Sequence, residues 1–152
     1  MSDQPTNGIF AMKDLLNTSD ALDDLLVDED VLANGRWVRP DPDRALRIRT
    51  KPLGDDYTDM QARLQRKAAQ GFGGDTSRLP AALKRQINAK CLIKHALIDV
   101  ENCVVRGQTL DFEGFCTLIQ EPQGQKLLGL AFVAANMATE SDADEMKEAE
   151  GN

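Results

Sequence analysis

At 152 residues, 41% apolar and 5% aromatic, the chain fits one domain with a modest core of Leu, Ile, Val and Ala. Its longest apolar stretch, LLGLAFVAANMA at 127–138, is far shorter than the roughly 18 apolar residues of a membrane span. The opening MSDQPTNGIF has no basic start and no apolar signal core, so a cytoplasmic protein without a membrane segment is expected.

The net charge of −7 is unevenly distributed. Residues 1–34 hold eight acids and one lysine, residues 139–152 six acids and one lysine, and residues 35–138 sixteen bases and eleven acids. Acidic ends of this kind keep a chain soluble and repel nucleic acid. They also have the sign needed to screen a basic middle.

Residues 1–10 are polar, contain Pro5 and Gly8, and are expected to be disordered. Met12, Leu15, Leu16, Leu22, Leu25 and Leu26 then recur at helical spacing with acids between them. Asn17-Thr18-Ser19 interrupts the pattern. It predicts two short helices or one broken helix, with Ser19 as an N-cap. The segment 1–34 thus reads as an acidic arm with short helices, suited to docking.

In 34–51, Asn34-Gly35 and Pro40-Asp41-Pro42-Asp43 are turn signals. Leu46, Ile48 and Thr50 alternate with Arg47, Arg49 and Lys51, the period of a strand with one buried and one cationic face. A β-hairpin at 36–50 is expected, and such a hairpin must lean on helices or pair with another chain. Residues 55–69 predict a helix with Tyr57, Met60, Leu64 and Ala68 on one face, flanked by Arg63, Arg66 and Lys67. QGFGGDTSR at 70–78 reads as a flexible linker.

Pro80 suits a first helical turn. A helix over 81–98 follows, with Leu83, Ile87, Cys91 and Ile98 as its stripe. Ala82, Ala89, Ile93, Ala96 and Leu97 widen that stripe, as in a central helix packed on two sides. DVENCVVRGQTL reads as a loop with an extended turn at Gly107. Asp111 is placed to cap a helix whose Phe112, Phe115, Leu118 and Ile119 face inward. Glu121-Pro122 breaks that helix, a last helix runs to about 138, and the acidic tail 139–152 is expected to be disordered. The fold class is therefore mainly α: a small helical domain over 35–138, one N-terminal β-hairpin, and charged flexible ends.

Little in this chain suggests reaction chemistry. His95 lies four residues after Cys91, and Cys103 and Cys116 complete a set of zinc-ligand types. No pair of cysteines has a zinc or disulfide spacing, so reduced thiols packed as small apolar groups are expected. GFGGDTSR lacks the Gly-Lys-Ser/Thr ending of a phosphate loop. Asp23-Asp24 and Asp55-Asp56 sit on polar stretches where carboxylates stay ionised. No activated nucleophile is recognisable. The expectation is a non-enzyme with no catalytic, cofactor-binding or metal-binding residues.

Arg36, Arg39, Arg44, Arg47, Arg49 and Lys51 form a cationic row beside Trp37, as phosphate binding with base stacking would need. The acidic ends and a pI of about 4.7 weigh against nucleic acid. They favour a solvated strand face, or one that meets acidic segments of a partner or of the chain itself. Gly129, Ala131, Ala134 and Ala135 permit close helix approach, which serves core packing or partner binding alike.

The text KHALIDVENCVVRGQTLDFEGFCTLIQEPQGQKLLGLAFVAANMA at 94–138 passes from the end of a basic helix through a loop and a Gly turn to an N-capped helix. A proline break, an Ala/Leu-rich helix and a charged tail follow. In that order it resembles the bacteriophage tail assembly chaperones, and GRWVRPDPDRALRIRT at 35–50 is similar to the family's early hairpin. The likeness covers about two-thirds of the chain. It departs at the loop, where DVEN stands in place of a frequent aromatic, and it leaves 12–30 unmatched. The resemblance implies a non-catalytic protein of the host cytoplasm that coats the tape measure protein, keeps it soluble and recruits tail tube subunits. Leu127, Leu128, Ala131 and Phe132 would then floor a groove for a partner helix. Homo-oligomerisation stays open. The alternatives are a structural virion component of head or tail, and a nucleic-acid-binding regulator using Arg36, Arg39, Arg47, Arg49 and Lys51.

Overall fold

The structure, a computed structural model, describes residues 21–140. The expectations for residues 1–10, for Met12, Leu15 and Leu16, for a Ser19 cap and for the tail beyond 140 lie outside the described residues.

A 3-10 turn at Asp23–Leu25 precedes helix α1, Glu29–Asn34. Asp28 caps α1 by accepting from the Asp30 amide at 2.9 Å, so the arm is a turn and a short helix. The chain then reverses at Gly35, with φ +72. A Cβ there would lie 2.6 Å from Ile98 Cδ1 and 2.8 Å from the Thr50 carbonyl oxygen. Both the dihedral and the space therefore require glycine.

Strand β1, Arg36–Val38, pairs antiparallel with β2, Arg47–Thr50, so that Trp37 faces Arg49 and Val38 faces Ile48. Asp41 organises the connecting turn, accepting from the Asp43 amide and from Arg44 Nε, each at 3.0 Å. Helix α2, Asp55–Ala69, has Asp55 and Asp56 in its first turn and Arg66 and Lys67 in its last, signs that complement the helix dipole. Residues 70–78, expected as a flexible linker, instead form 3-10 turns at Gln70–Phe72 and Thr76–Arg78. Asp75 caps the second turn through the Ser77 amide and hydroxyl.

Helix α3, Ala81–His95, stops three residues short of the expected end. Leu97–Glu101 leaves it as strand β3, antiparallel to β2. The sheet is thus three-stranded, in the order β1-β2-β3, and the segment expected as a loop begins as a strand. The physical reason is β2's second edge, whose backbone groups need partners in the interior. Ile48 there is fully buried and faces Val100. Residues β4, Val104–Val105, and β5, Gln108–Thr109, form a second hairpin. It turns on Arg106 and Gly107, both at positive φ, the dihedral pattern of a tight two-residue turn.

Asp111 caps helix α4, Phe112–Ile119, by accepting from the Gly114 amide at 2.8 Å. Pro122 then opens a 3-10 turn, Pro122–Gly124, that leads into α5, Gln125–Met137. The architecture is mainly α-helical with an antiparallel hairpin on its N-terminal side, as expected. One core joins the sheet's inner face (Val38, Ile48, Leu97, Val100) to α3 (Ile87, Cys91, Leu92), α4 (Phe115, Ile119) and α5 (Leu128, Ala131, Ala134, Ala135).

Three glycine-to-alanine changes test this packing. Gly35→Ala meets both strain and contact, and a Cβ at Gly124 would fall 2.0 Å from the Leu118 carbonyl oxygen. Each should destabilise the fold by about 1–3 kcal/mol in urea unfolding. Gly129 lies exposed inside α5 with nothing within 4 Å of a Cβ, so Gly129→Ala should stabilise by about 1 kcal/mol.

Candidate protein-binding surfaces

The cationic row is not an open strip. Arg47 and Arg49 lie on the outer face of the sheet, and β3 sets Glu101 and Asp99 opposite them. Arg47 Nη1 donates to Glu101 Oε1 at 2.6 Å, and its guanidinium stands 5.5 Å above the Trp37 ring. Arg49 Nε donates to the Asn34 carbonyl at 3.0 Å. Arg36 bonds the Glu140 carbonyl, Arg39 the Pro42 carbonyl at 3.2 Å, and Arg44 pairs with Asp41 at 3.0 Å. Lys51 is half-buried at the strand end. Exposed contacts like these are each worth about 0–1 kcal/mol. On the outer face of the sheet, Asp99 and Glu101 on β3, unseen in the sequence pattern, balance the charges of Arg47 and Arg49.

The four residues expected to floor a groove do not share a surface. Leu128 and Ala131 point into the core. Leu127 and Phe132 are half-buried, and Phe132 packs edge-on against Tyr57 with ring centroids 6.2 Å apart. An apolar cleft of about 790 Å³ does lie beside α5, but it runs between Leu127 and Leu130 on one side and Leu46, Val104 and Val105 on the other. Asp41, Asp43, Arg44 and Lys126 stand at its rim. Val104, at the mouth, is 62% exposed. Of the expected set only Leu127 lines it. The β4 contribution was invisible in sequence because a two-residue strand has no period to detect.

The arm presents a second apolar surface. Leu22, Leu25, Leu26 and Leu32 are all exposed, Leu25 at 71% and Leu26 at 73%, whereas Val31 is buried and anchors the arm.

The groups capable of chemistry are dispersed. Cys91, Cys103 and Cys116 are free and buried. Burial pushes their thiols up, Cys116 to about 11, with the Arg63 charge offsetting part of the rise at Cys91. Protonated buried thiols are poor nucleophiles. Burial, then the neighbouring Cys91, raises Tyr57 to about 12. His95 borders an open cleft of about 390 Å³ with Asp56, Asp59, Arg63 and Arg66. Among the described residues no three His, Cys, Asp or Glu side chains are grouped to hold a metal ion.

Folded Tyr57 and Cys116 hold their protons more tightly than their unfolded forms, whose ordinary values are 10.0 and 9.0. The stability linked to the neutral forms is complete below about pH 9 and is lost as pH rises through 11 and 12. Melting temperature should therefore be level from about pH 7 to 8.5 and fall steadily above it, less steeply in Cys116→Ala. The three thiols should react with an aromatic disulfide reagent only at the rate of unfolding.

Compared with protein-family models, with curated proteins and with solved structures, this chain matches none.

Proposed function

We propose that this chain is a non-enzymatic phage morphogenesis factor, a tail assembly chaperone. In that role it holds the tape measure protein in solution in the host cytoplasm and brings tail tube subunits to it. The observation that carries this reading is the apolar cleft beside α5, rimmed by charge and open to solvent. Its lining comes from 41–46 and 102–130, within the two segments, 35–50 and 94–138, that carry the family resemblance.

An amphipathic client helix lays residues spaced i, i+3/i+4 and i+7 into such a groove. Each large aliphatic side chain that leaves water contributes about 1.5–3 kcal/mol before ordering costs. Two or three anchors contribute about 3–9 kcal/mol before those costs, so binding no tighter than about micromolar is expected. That strength suits a chaperone, which must release its client as the tail tube assembles. The rim acids Asp41 and Asp43 and the bases Arg44 and Lys126 accept polar client residues of either sign.

Co-expression with a tape measure fragment tests this reading. Wild-type chain should keep the fragment soluble. Val104→Asp, a change at an exposed position, should cut the soluble fraction several-fold while the helical circular dichroism is unchanged. Mass spectrometry of purified particles should not find the chain; its presence there at stoichiometric level would make it a structural virion component instead.

A further inference from the structure

Two further parts of the chain are opposite in charge. One is the arm. Residues 21–34 include Asp23, Asp24, Asp28, Glu29 and Asp30 and no base. Leu22, Leu25, Leu26 and Leu32 stand exposed among these acids. Single exposed leucines are ordinary, but four exposed within one short segment are the composition of an interaction site.

The other surface is the helical hairpin α2–α3. Over the hairpin, residues 55–95, the chain has eight bases, Arg63, Arg66, Lys67, Arg78, Lys84, Arg85, Lys90 and Lys94, against four acids, Asp55, Asp56, Asp59 and Asp75, and Asp56 and Asp59 line one cleft with Arg63 and Arg66. None of these eight bases forms an ion pair within the described residues. The two helices pack against each other and are bridged by Gln61 Nε2 donating to Asn88 Oδ1 at 2.6 Å. Since a short connection joins them, the helices run antiparallel. The C-terminal half of α2, with Arg63, Arg66 and Lys67, therefore lies beside the N-terminal half of α3, with Lys84 and Arg85. Leu64 and Leu83 are half-buried and pack against the core. The hairpin thus carries a net positive charge, complementary in sign to the arm.

We propose that the arm of one copy docks on the α2–α3 hairpin of a second copy. The arm does not reach its own hairpin here, since its leucines face solvent. Its root is tied to the sheet by the bond from Arg49 to the Asn34 carbonyl. The contact joins two different patches, so it is head-to-tail, and each copy added leaves one arm and one hairpin free. Such contacts close into rings or extend as open chains. A run of copies in that arrangement could follow a long client, although the contact itself requires none. Attraction between exposed charges of this kind weakens as salt shortens the screening length from about 10 Å at 0.1 M to about 3 Å at 1 M.

Light scattering and sedimentation of the full chain without any client test the proposal. At about 50 mM salt the mass should grow with concentration, and the association should weaken at least tenfold at about 500 mM. Leu25→Asp with Leu26→Asp disables the arm, and Arg66→Glu with Lys67→Glu disables the hairpin; all four positions are exposed. Each double variant alone should stay monomeric with its helical signal intact. Mixed together they should give a two-copy species and nothing larger, because one intact arm and one intact hairpin remain. Adding Asp23→Lys and Asp24→Lys to the hairpin variant should restore its self-association. A wild-type mass that stays monomeric to about 100 µM at low salt would overturn the proposal. So would assembly that survives either double variant, or a salt-dependent shrinkage at constant mass, which would place the arm on its own hairpin. Loss of client rescue without any of these results would count against the chaperone role alone.

Discussion

The pairing of β2 with β3 holds the two halves of this molecule together. β2 belongs to the N-terminal hairpin, and β3 is the direct continuation of α3, so their ladder joins residues 47–50 to 97–101. Around it the inner face of the sheet receives Ile48, Val100 and Leu97, over which Phe115, Ile119 and the small face of α5 close. A two-stranded hairpin alone would be marginal in water. The third strand gives the sheet a central member and allows Ile48 to be fully buried. Thr50, also buried, keeps its hydroxyl satisfied by donating to the Lys51 carbonyl at 2.9 Å.

The same pairing decides the electrostatics of the outer face. In sequence, Arg47, Arg49 and Lys51 alternate as a cationic row. In the folded chain, Glu101 and Asp99 stand across from the two arginines, and Trp37 lies on the other side. A strand that looks like a phosphate binder by itself becomes part of a nearly neutral sheet. The larger excess of positive charge lies on α2 and α3, where eight bases stand against four acids.

Legibility followed period and punctuation. The helix at 55–69 was readable to its ends, because a full amphipathic turn pattern runs between an acidic start and a basic finish. The Asp111 cap and the Pro122 break were readable because each acts through local backbone chemistry. β3 was not, for two reasons. Ile98 sits in a bulge, where the register with β2 shifts between Arg49 and Thr50, so the alternation that should announce a strand is interrupted. Leu97 and Ile98 also extend the apolar stripe of α3 in sequence, and helix spacing absorbs them. What remained was Asp99-Val100-Glu101, three residues of alternation, too few to outweigh a strong helix before them. The cleft was lost with β4 for the same reason of length.

The fate of α5 shows why a correct reading of residue type can still misplace a binding surface. Gly129, Ala131, Ala134 and Ala135 signal close approach, and close approach does occur. Ala131, Ala134 and Ala135 are spent inward, where they let the helix lie against the sheet and Leu128 complete the core. That leaves the rows flanking the small face, Leu127 and Leu130 on one side and Phe132 on the other, to meet what is not core. Phe132 is taken by Tyr57. Leu127 and Leu130 border β4, whose Val104 is exposed while Cys103 before it is buried. The cleft is therefore a consequence of packing order: the smallest side chains set the depth of α5, and the larger ones next to them are left at the surface with an apolar face to cover.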